Sequence, residues 1–276
     1  MALRPYASSL ERIWYYTIRG FCILVLIGLV LPILAIIPIS FTSDTMLSYP
    51  MPGLSFRWYV EFFNSVMWTL SMKNSFIIAF ATTFLATALG TLAALGLTTG
   101  NFPFKGVITG IMIMPMVVPL VISAVGIYFF FAWVGLTSTH LGMILAHTVL
   151  ATPFVVITVT ATLQGFNRNQ IRAGSSLGAS PPTVFFKITL PQILPGVISG
   201  ALFAFITSFD EVVVALFIAG SEQYTLPRQM FAGIREKYNP TISAVATMMI
   251  VVSIALLVTV ELLRRRSERL RGIKPQ

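Results

Sequence analysis

The stretch from Gln164 to Pro191, QGFNRNQIRAGSSLGASPPTVFFKITLP, is a polar and basic interruption between two strongly apolar stretches. Backbone polar groups inside a bilayer must be satisfied within the protein, so spanning segments are helices or closed barrels. A polar stretch with turn residues therefore lies outside the hydrocarbon layer. We interpret it as an ordered loop between two membrane spans, and a structured loop in that position is typical of a docking site for a partner.

The composition on both sides of this loop is that of an integral membrane protein. Of the 276 residues, 56% are hydrophobic and 10% are charged, and the mean hydropathy is +0.87. Soluble domains carry about a quarter charged residues. The apolar runs reach about 20 residues without alternation, which favours helices over a barrel. The sequence predicts an all-α polytopic membrane protein, with one transmembrane domain over residues 1–276. Its six spans are placed at Phe21–Phe41, Lys73–Leu97, Val107–Val134, Leu141–Leu163, Gln192–Ala219 and Thr241–Leu263.

Lysine and arginine residues are distributed unevenly between the two sides of this topology, and the richer side is expected to be cytoplasmic. One side holds Arg4, Arg12, Arg19, Lys105, Arg168, Arg172, Lys187, Arg264, Arg265, Arg266, Arg269, Arg271 and Lys274. The other side holds Arg57, Lys73, Arg228, Arg235 and Lys237. Residues 1–20, the loop 164–191 and the basic tail 264–276 are therefore predicted to be cytoplasmic, in a bacterial inner membrane. Because the basic residues are scattered over membrane flanks, nucleic-acid binding is not expected.

Two longer segments are assigned to the outer side. Ser43–Met72 contains SFRWYVEFFNS, which suits a short interfacial helix, and Gly220–Pro240 contains a second small helix. The chain has no GxxxxGK[ST] phosphate loop, so we expect it not to bind a nucleotide itself. We also expect it not to be an enzyme, since neither HExxH nor CxxC occurs. Energy for any transport would come from a partner or an ion gradient.

Turn chemistry divides the loop into two short helices. The pattern predicts a helix over Asn169–Leu177, ended by Gly178 in a left-handed conformation. Ser180 then suits an N-cap with Pro181 at the first helical position, and a second helix covers Thr183–Ile188. The alternative is an amphipathic loop that rests on the membrane surface.

The loop resembles the EAA signature of ABC importer permeases. R-A-G-x-x-x-G, nine residues and I-x-L-P agree with that signature in spacing, and the residues are Arg172, Ala173, Gly174, Gly178, Ile188, Leu190 and Pro191. The usual Glu-Ala-Ala is replaced by Arg172-Ala173-Gly174. The resemblance implies the type I importer permease fold and a coupling helix that sits in a cleft of an ATPase subunit. The implied contact residues are Arg172, Ala173, Gly174, Leu177, Gly178, Ala179, Ser180, Phe185 and Lys187.

Other segments are similar to spermidine/putrescine-type permeases. These segments are Asn74–Leu97, Met114–Tyr128 and Ser208–Gly220, the last followed by Thr225–Pro227. The resemblance implies an ABC ATPase dimer, a second permease subunit and a solute-binding protein as partners. It implies that this chain binds no cofactor, since ATP and Mg are used by the ATPase. The expected solute is a polyamine or a related amine; opines, amino-acid-like compounds and other small organic solutes remain alternatives.

Asp210 and Glu211 are interpreted as carboxylates inside the fifth span, where charge is costly and usually functional. One of them is a candidate cation contact, with Phe209 and Asn74 added to the substrate pathway. The alternative is structural pairing with Lys73, Asn74 or a partner subunit. His147 is interpreted as a hydrogen-bonded contact between helices, and Gly90, Gly96, Gly196 and Gly200 as points of close helix approach. A secondary transporter is less favoured, because it would need coupling carboxylates in several spans.

Overall fold

The computed structural model describes residues 8–45, 50–236 and 239–270, with the side chains of 236, 260, 263, 264 and 266–270 left out. Arg4, Lys237, Arg271 and Lys274 of the predicted charge distribution lie outside the described residues. Within those residues the chain is helical, with one isolated bridge between Thr42 and Leu54. The helices are α1 Ser9–Ile39, α2 Arg57–Asn64, α3 Val66–Thr99, α4 Lys105–Val117, α5 Leu120–Val134, α6 His140–Gln164, α7 Asn169–Ser176, α8 Pro181–Val184, α9 Leu190–Phe209, α10 Val213–Ile218, α11 Leu226–Glu236 and α12 Thr241–Leu270.

Membrane-spanning length and hydropathy are found in five described helices, or in six spans if the bent pair α4–α5 counts as one. This confirms the predicted all-α polytopic architecture. Helices extend past the apolar runs at several ends: α1 begins at Ser9 with a capping box between Ser8 and Glu11, and α3 begins at Val66. Helix formation needs caps and backbone hydrogen bonds rather than hydropathy, so these boundaries were not readable from the apolar runs.

The predicted third span is not a continuous helix. α4 and α5 meet at an angle of 105°. Val118 has extended backbone (φ −69°, ψ 134°) and precedes Pro119. A proline disfavours helical backbone at the residue before it and lacks an N–H of its own, so the break lies where the sequence chemistry demands it.

The described chain groups into two compact units. The first contains α1, most of α2 and the start of α12. In it the short helix α2, predicted as an interfacial helix, is held by two contacts. The Trp58 indole N–H donates to the Thr42 carbonyl at 2.7 Å, and the Tyr59 hydroxyl lies 2.7 Å from Ser40 Oγ.

The second unit contains α3 to α11 and the rest of α12. Its centre is the packing of α3, α6 and α9. A Cβ added at Gly90 would lie 2.7 Å from Val155 Cβ, and one at Gly200 would lie 3.0 Å from Val155 Cα. Gly196 makes a similarly close approach to Thr162. The predicted close approaches are therefore confirmed for these three glycines. Gly96 has no neighbour within 4 Å, so that prediction was wrong.

Candidate functional site

The loop between α6 and α9 folds as a helical hairpin, hereafter the hairpin (residues 169–189). α7 ends in a Schellman motif, in which Ala179 N–H donates to Gly174 O at 3.1 Å and Gly178 N–H donates to Ser175 O at 3.0 Å. Gly178 has φ +82°, the left-handed conformation predicted for it. Ser180 then precedes α8 with extended backbone, and Pro181 occupies the first helical position, also as predicted.

Gly174 lets the two arms of the hairpin touch. It is buried, and a Cβ at this position would lie 2.6 Å from Ile188 Cδ1 and 3.5 Å from Val184 Cγ2. Val184 is also buried, with 5% of its surface exposed. A small residue is therefore required at the third position of the Glu-Ala-Ala element of the signature, because the opposite arm fills the space above it.

The remaining predicted contact residues are mostly on the surface. Leu177 is 88% exposed, and Phe186 on the second arm is 64% exposed. Ala179 and Phe185 are half-buried, and the exposed members are Arg172, Ala173, Gly178, Ser180 and Lys187. Basic and apolar side chains thus share the exposed surface of the hairpin. That combination suits a protein partner with an acidic rim and an apolar floor.

The second arm of the hairpin differs from the prediction. Instead of a separate helix over Thr183–Ile188, α8 passes into a π-helical turn, Phe185–Thr189, and then directly into α9. Pro181–Phe209 is therefore one helical segment of 29 residues. A displacement of the hairpin would be carried into α9 without an intervening flexible joint.

Two hairpin anchors were not predicted. The Arg168 guanidinium donates to Thr98 O at 2.6 Å, which ties the start of the hairpin to the end of α3, and the Gln192 amide contacts Gln170 Oε1. Long polar side chains at both ends of the loop were the available signal. Their partners could not be found without the fold.

Gly174–Gly178, GSSLG, also satisfies the G-x-S-x-G pattern of hydrolases. That motif requires a serine on a sharp turn from a strand into a helix. Ser176 is instead the last residue of α7, and the described residues contain no named strand before it. The geometry of a nucleophile elbow is therefore not present here.

At the far end of α9 the chain leaves the helix at two acidic residues. The predicted continuous span Gln192–Ala219 is broken, since α9 ends at Phe209 and α10 begins at Val213. Glu211 is buried, with 7% exposed, and its Oε1 accepts a hydrogen bond from Val214 N–H at 2.8 Å. It satisfies the free start of α10 as a capping carboxylate does. Asp210 is exposed, and no described group donates a hydrogen bond to its carboxylate.

Four phenylalanines lie beside this break and form a cluster between α3 and α9. Phe209 stacks on Phe205 at 5.4 Å between ring centroids, Phe76 lies 5.2 Å from Phe209, and Phe80 lies 5.1 Å from Phe205. Phe209 is buried, whereas Phe80 is 59% exposed. The i, i+4 spacing in both helices was the sequence signal, and only Phe209 had been proposed. Aromatic faces next to a free carboxylate are suited to binding an organic cation.

The segment after α10 is held by Asn74 of α3, which also contacts α6. Asn74 is 2% exposed and its amide donates to Glu222 O at 2.8 Å and Tyr224 O at 3.0 Å, while its Oδ1 lies 3.0 Å from His140 Nε2. The substrate role proposed for Asn74 remains a prediction. Its contacts here are with the segment that follows the break.

His147 makes the predicted contact between helices. Its Nδ1 lies 2.9 Å from Ser208 Oγ, two residues before Asp210, and the histidine is 1% exposed. The end of α9 is thus fixed from α6 as well as from α3. Asp210 projects from a positioned backbone.

Comparisons with known proteins give matches over most of the chain. The model of the binding-protein-dependent transport system inner membrane component family matches residues 86–271. A spermidine/putrescine transport system permease protein PotC of Haemophilus influenzae is 34% identical over 253 residues, covering 92% of this chain and 98% of that protein. The putrescine transport system permease protein PotI of Escherichia coli K12 is 34% identical over 227 residues, covering 79% and 80%.

Solved structures show the same fold at lower identity. A chain of a bacterial ABC transporter involved in the import of the acidic polysaccharide alginate has a TM-score of 0.73 at 16% identity, covering 93% of this chain and 96% of that one. A chain of the MetNI methionine ABC transporter has a TM-score of 0.61 at 19% identity, covering 71% and 94%.

Proposed function

We propose that this chain, which belongs to the binding-protein-dependent transport system inner membrane component family and is a permease subunit of an ABC importer, forms half of a pore for a polyamine or a related small amine. The permeases named above, with which it shares 34% identity, are those of spermidine/putrescine and putrescine systems. One observation on this chain carries the proposal: the exposed carboxylate of Asp210 stands at a helix break beside the phenylalanine cluster.

The chemistry of that site favours an amine. A protonated amine would neutralise a carboxylate that has no described hydrogen-bond donor, and its methylene chain would contact phenylalanine faces. Glu211 is already engaged with the start of α10, so Asp210 is the better candidate of the pair. This assigns different roles to two carboxylates that are adjacent in sequence.

Energy would enter at the hairpin. In this proposal the cleft of an ABC ATPase subunit receives the exposed Leu177 and Phe186, with Arg172 and Lys187 facing acidic groups on the ATPase. The ATPase binds ATP and Mg, and this chain itself holds no cofactor. Closure of the ATPase dimer would move the hairpin, and the continuous segment Pro181–Phe209 would carry the motion about 30 Å along α9 to Asp210.

The remaining parts of the assembly follow from the same proposal. A second permease subunit supplies the other half of the pore, and a solute-binding protein delivers the amine at the end opposite the hairpin. Both termini and the hairpin lie in the cytoplasm, as the distribution of lysine and arginine supports. The replacement of the usual acidic residue by Arg172 requires a matching change on the ATPase, where an acidic contact replaces a basic one.

Uptake by the reconstituted complex tests the proposal. The chain is assembled in liposomes with its ATPase, its second permease and its solute-binding protein, and labelled putrescine, spermidine and arginine are supplied in turn. The expected result is ATP-dependent accumulation of a polyamine, with competition by other polyamines. ATP-dependent accumulation of a different class of solute, without competition by polyamines, would overturn the proposed substrate.

A further inference from the structure

A small cavity lies between α10 and α11, at the end of α9 away from the hairpin. Its volume is about 280 Å³, and its lining residues are Leu216, Tyr224, Arg228, Phe231, Ala232 and Arg235. We refer to it as the arginine pocket. It contains two cations and two aromatic rings. None of its lining residues belongs to the Asp210 site or the phenylalanine cluster.

The Arg228 side chain lies against the Tyr224 ring, and most of its N–H donors have no acceptor among the described residues. Its Cζ lies 4.2 Å from the Tyr224 ring centroid, and one terminal nitrogen donates to the Tyr224 hydroxyl at 3.1 Å. Its Nε is buried and has no acceptor among the described residues. A guanidinium has five N–H donors in a rigid fork, and a buried donor without an acceptor is unfavourable. The pocket is therefore incomplete in the isolated chain.

Arg235 adds a second positive charge on the same face of α11, two helical turns after Arg228. Its Cζ lies 5.8 Å from the Phe231 ring centroid and the side chain is exposed. Among the described side chains, neither arginine forms an ion pair with an acidic residue. Two arginines would repel an amine, so the pocket does not suit the proposed solute. They suit a carboxylate, which a guanidinium binds through two parallel hydrogen bonds.

The pocket is mounted on a fixed support. Leu226 N–H, at the start of α11, donates to Ser75 Oγ at 2.7 Å, and Asn74 holds the carbonyls of the residues before it. Thr225 and Leu226 are buried. A docking partner would therefore meet a preformed site, so that little ordering would be needed on binding.

We infer that the arginine pocket receives an acidic side chain of the transporter's solute-binding protein, whose carboxylate accepts hydrogen bonds from Arg228 and is attracted by Arg235. The inference rests on the proposed function, which places that protein at this end of the molecule. The outer segment Gly220–Pro240 would thus attach the solute-binding protein through an ion pair at Arg228.

Direct binding tests this without relying on the identity of the solute. The complex is placed in nanodiscs of neutral lipid, and the transporter's own solute-binding protein is titrated in the absence of ATP. Arg228→Gln is expected to weaken binding about tenfold, as for a lost charge-assisted pair. Arg228→Lys should fall in between, because the charge remains but the fork is lost. Lys73→Gln removes one charge outside the pocket and should leave the affinity unchanged.

Charge reversal provides the decisive variant, because binding that is restored by the partner's matching change shows that the variant is folded. Arg228→Glu should abolish binding, and a lysine in place of one acidic surface residue of the solute-binding protein should restore it. Equal weakening by Arg228→Gln and Lys73→Gln would overturn the inference, as would an effect seen only with anionic lipid. A failure of polyamine uptake with these binding changes intact would contradict the proposed substrate and leave the pocket supported.

Discussion

Gly178→Ala probes the hairpin with a change of one methyl group. The position has φ +82°, which an L-residue with a Cβ adopts at a cost of about 1–2 kcal/mol. No atom lies within 4 Å of the added Cβ, so the backbone conformation accounts for the whole effect. Since 1.4 kcal/mol corresponds to a factor of ten, the strained hairpin becomes about five to thirty times less favoured against relaxed forms.

This strain should appear as weaker binding of the ATPase. α7 has only eight residues, and such a short helix is marginal on its own. The free hairpin can therefore relax, whereas the bound hairpin must keep the left-handed turn. When a ligand binds only one conformation, its apparent affinity falls in proportion to the fall in that conformation's population. We expect the dissociation constant for the ATPase subunit to rise by about fivefold for a strain of about 1 kcal/mol and by no more than about thirtyfold.

The measurement is a titration of labelled ATPase subunit onto permease complexes in nanodiscs. Gly165→Ala is the matched control: it is the same substitution in the same loop, at φ −87°, and the added Cβ would lie 3.9 Å from Thr162 O. Gly178→Asn should be milder than Gly178→Ala, because asparagine tolerates the left-handed region better. Dissociation constants for Gly178→Ala and Gly165→Ala that agree within about twofold would refute the reasoning.

Three further predictions concern the Asp210 site, its support and the packing of α3 against α6. Asp210→Asn should raise the KM for putrescine tenfold or more, because substrate binding loses a charged hydrogen bond of about 1.5–3 kcal/mol. Glu211→Gln should lower the free energy of unfolding by about 1 kcal/mol with little change in KM. The reverse pattern would contradict the assigned roles. Asn74→Ala removes the donor to two carbonyls and should lower stability by about 1–3 kcal/mol, read from thermal unfolding of the purified protein; an unchanged midpoint would count against this anchor. Gly90→Val should cost about 1–3 kcal/mol by crowding Val155, while Gly96→Val, in open space, should be neutral, and equal effects would argue against close α3–α6 packing.

Much of the hairpin could be predicted because its signals are local. Gly178 and Pro181 specify the left-handed turn and the first helical position through their own backbone preferences, whatever surrounds them. The role of Gly174 needed the fold, since only the opposite arm, with Ile188, shows why a small residue is required. The continuity of α8 with α9 was missed because Pro181 and Pro191 suggest two separate helix starts. Pro181 does lie in a first turn, where proline is tolerated, whereas Pro191 follows directly on the π-helical turn Phe185–Thr189 inside the segment.

The break after Phe209 was missed for a different reason. Hydropathy runs through Asp210 and Glu211 from one apolar stretch to the next, so a window of the usual length reports one span. Two contacts flank the end of α9, one tertiary and one local: Ser208 is held by His147, and the Glu211 carboxylate accepts a hydrogen bond from Val214 N–H in α10. Contacts between residues more than sixty positions apart cannot be inferred from the local pattern. The two adjacent carboxylates were the sequence signal for the break, although the hydropathy of the surrounding run did not show it.

Site-specific photo-cross-linking shows whether an ATPase acts on this chain through the hairpin. A benzophenone amino acid is placed at Leu177, which is 88% exposed on the hairpin, or at Val66, which is 79% exposed at the opposite end of α3. In the assembled complex, irradiation should join Leu177 to the ATPase subunit and leave Val66 unlinked to it. Cross-linking of the ATPase to Val66 but not to Leu177 would contradict the account.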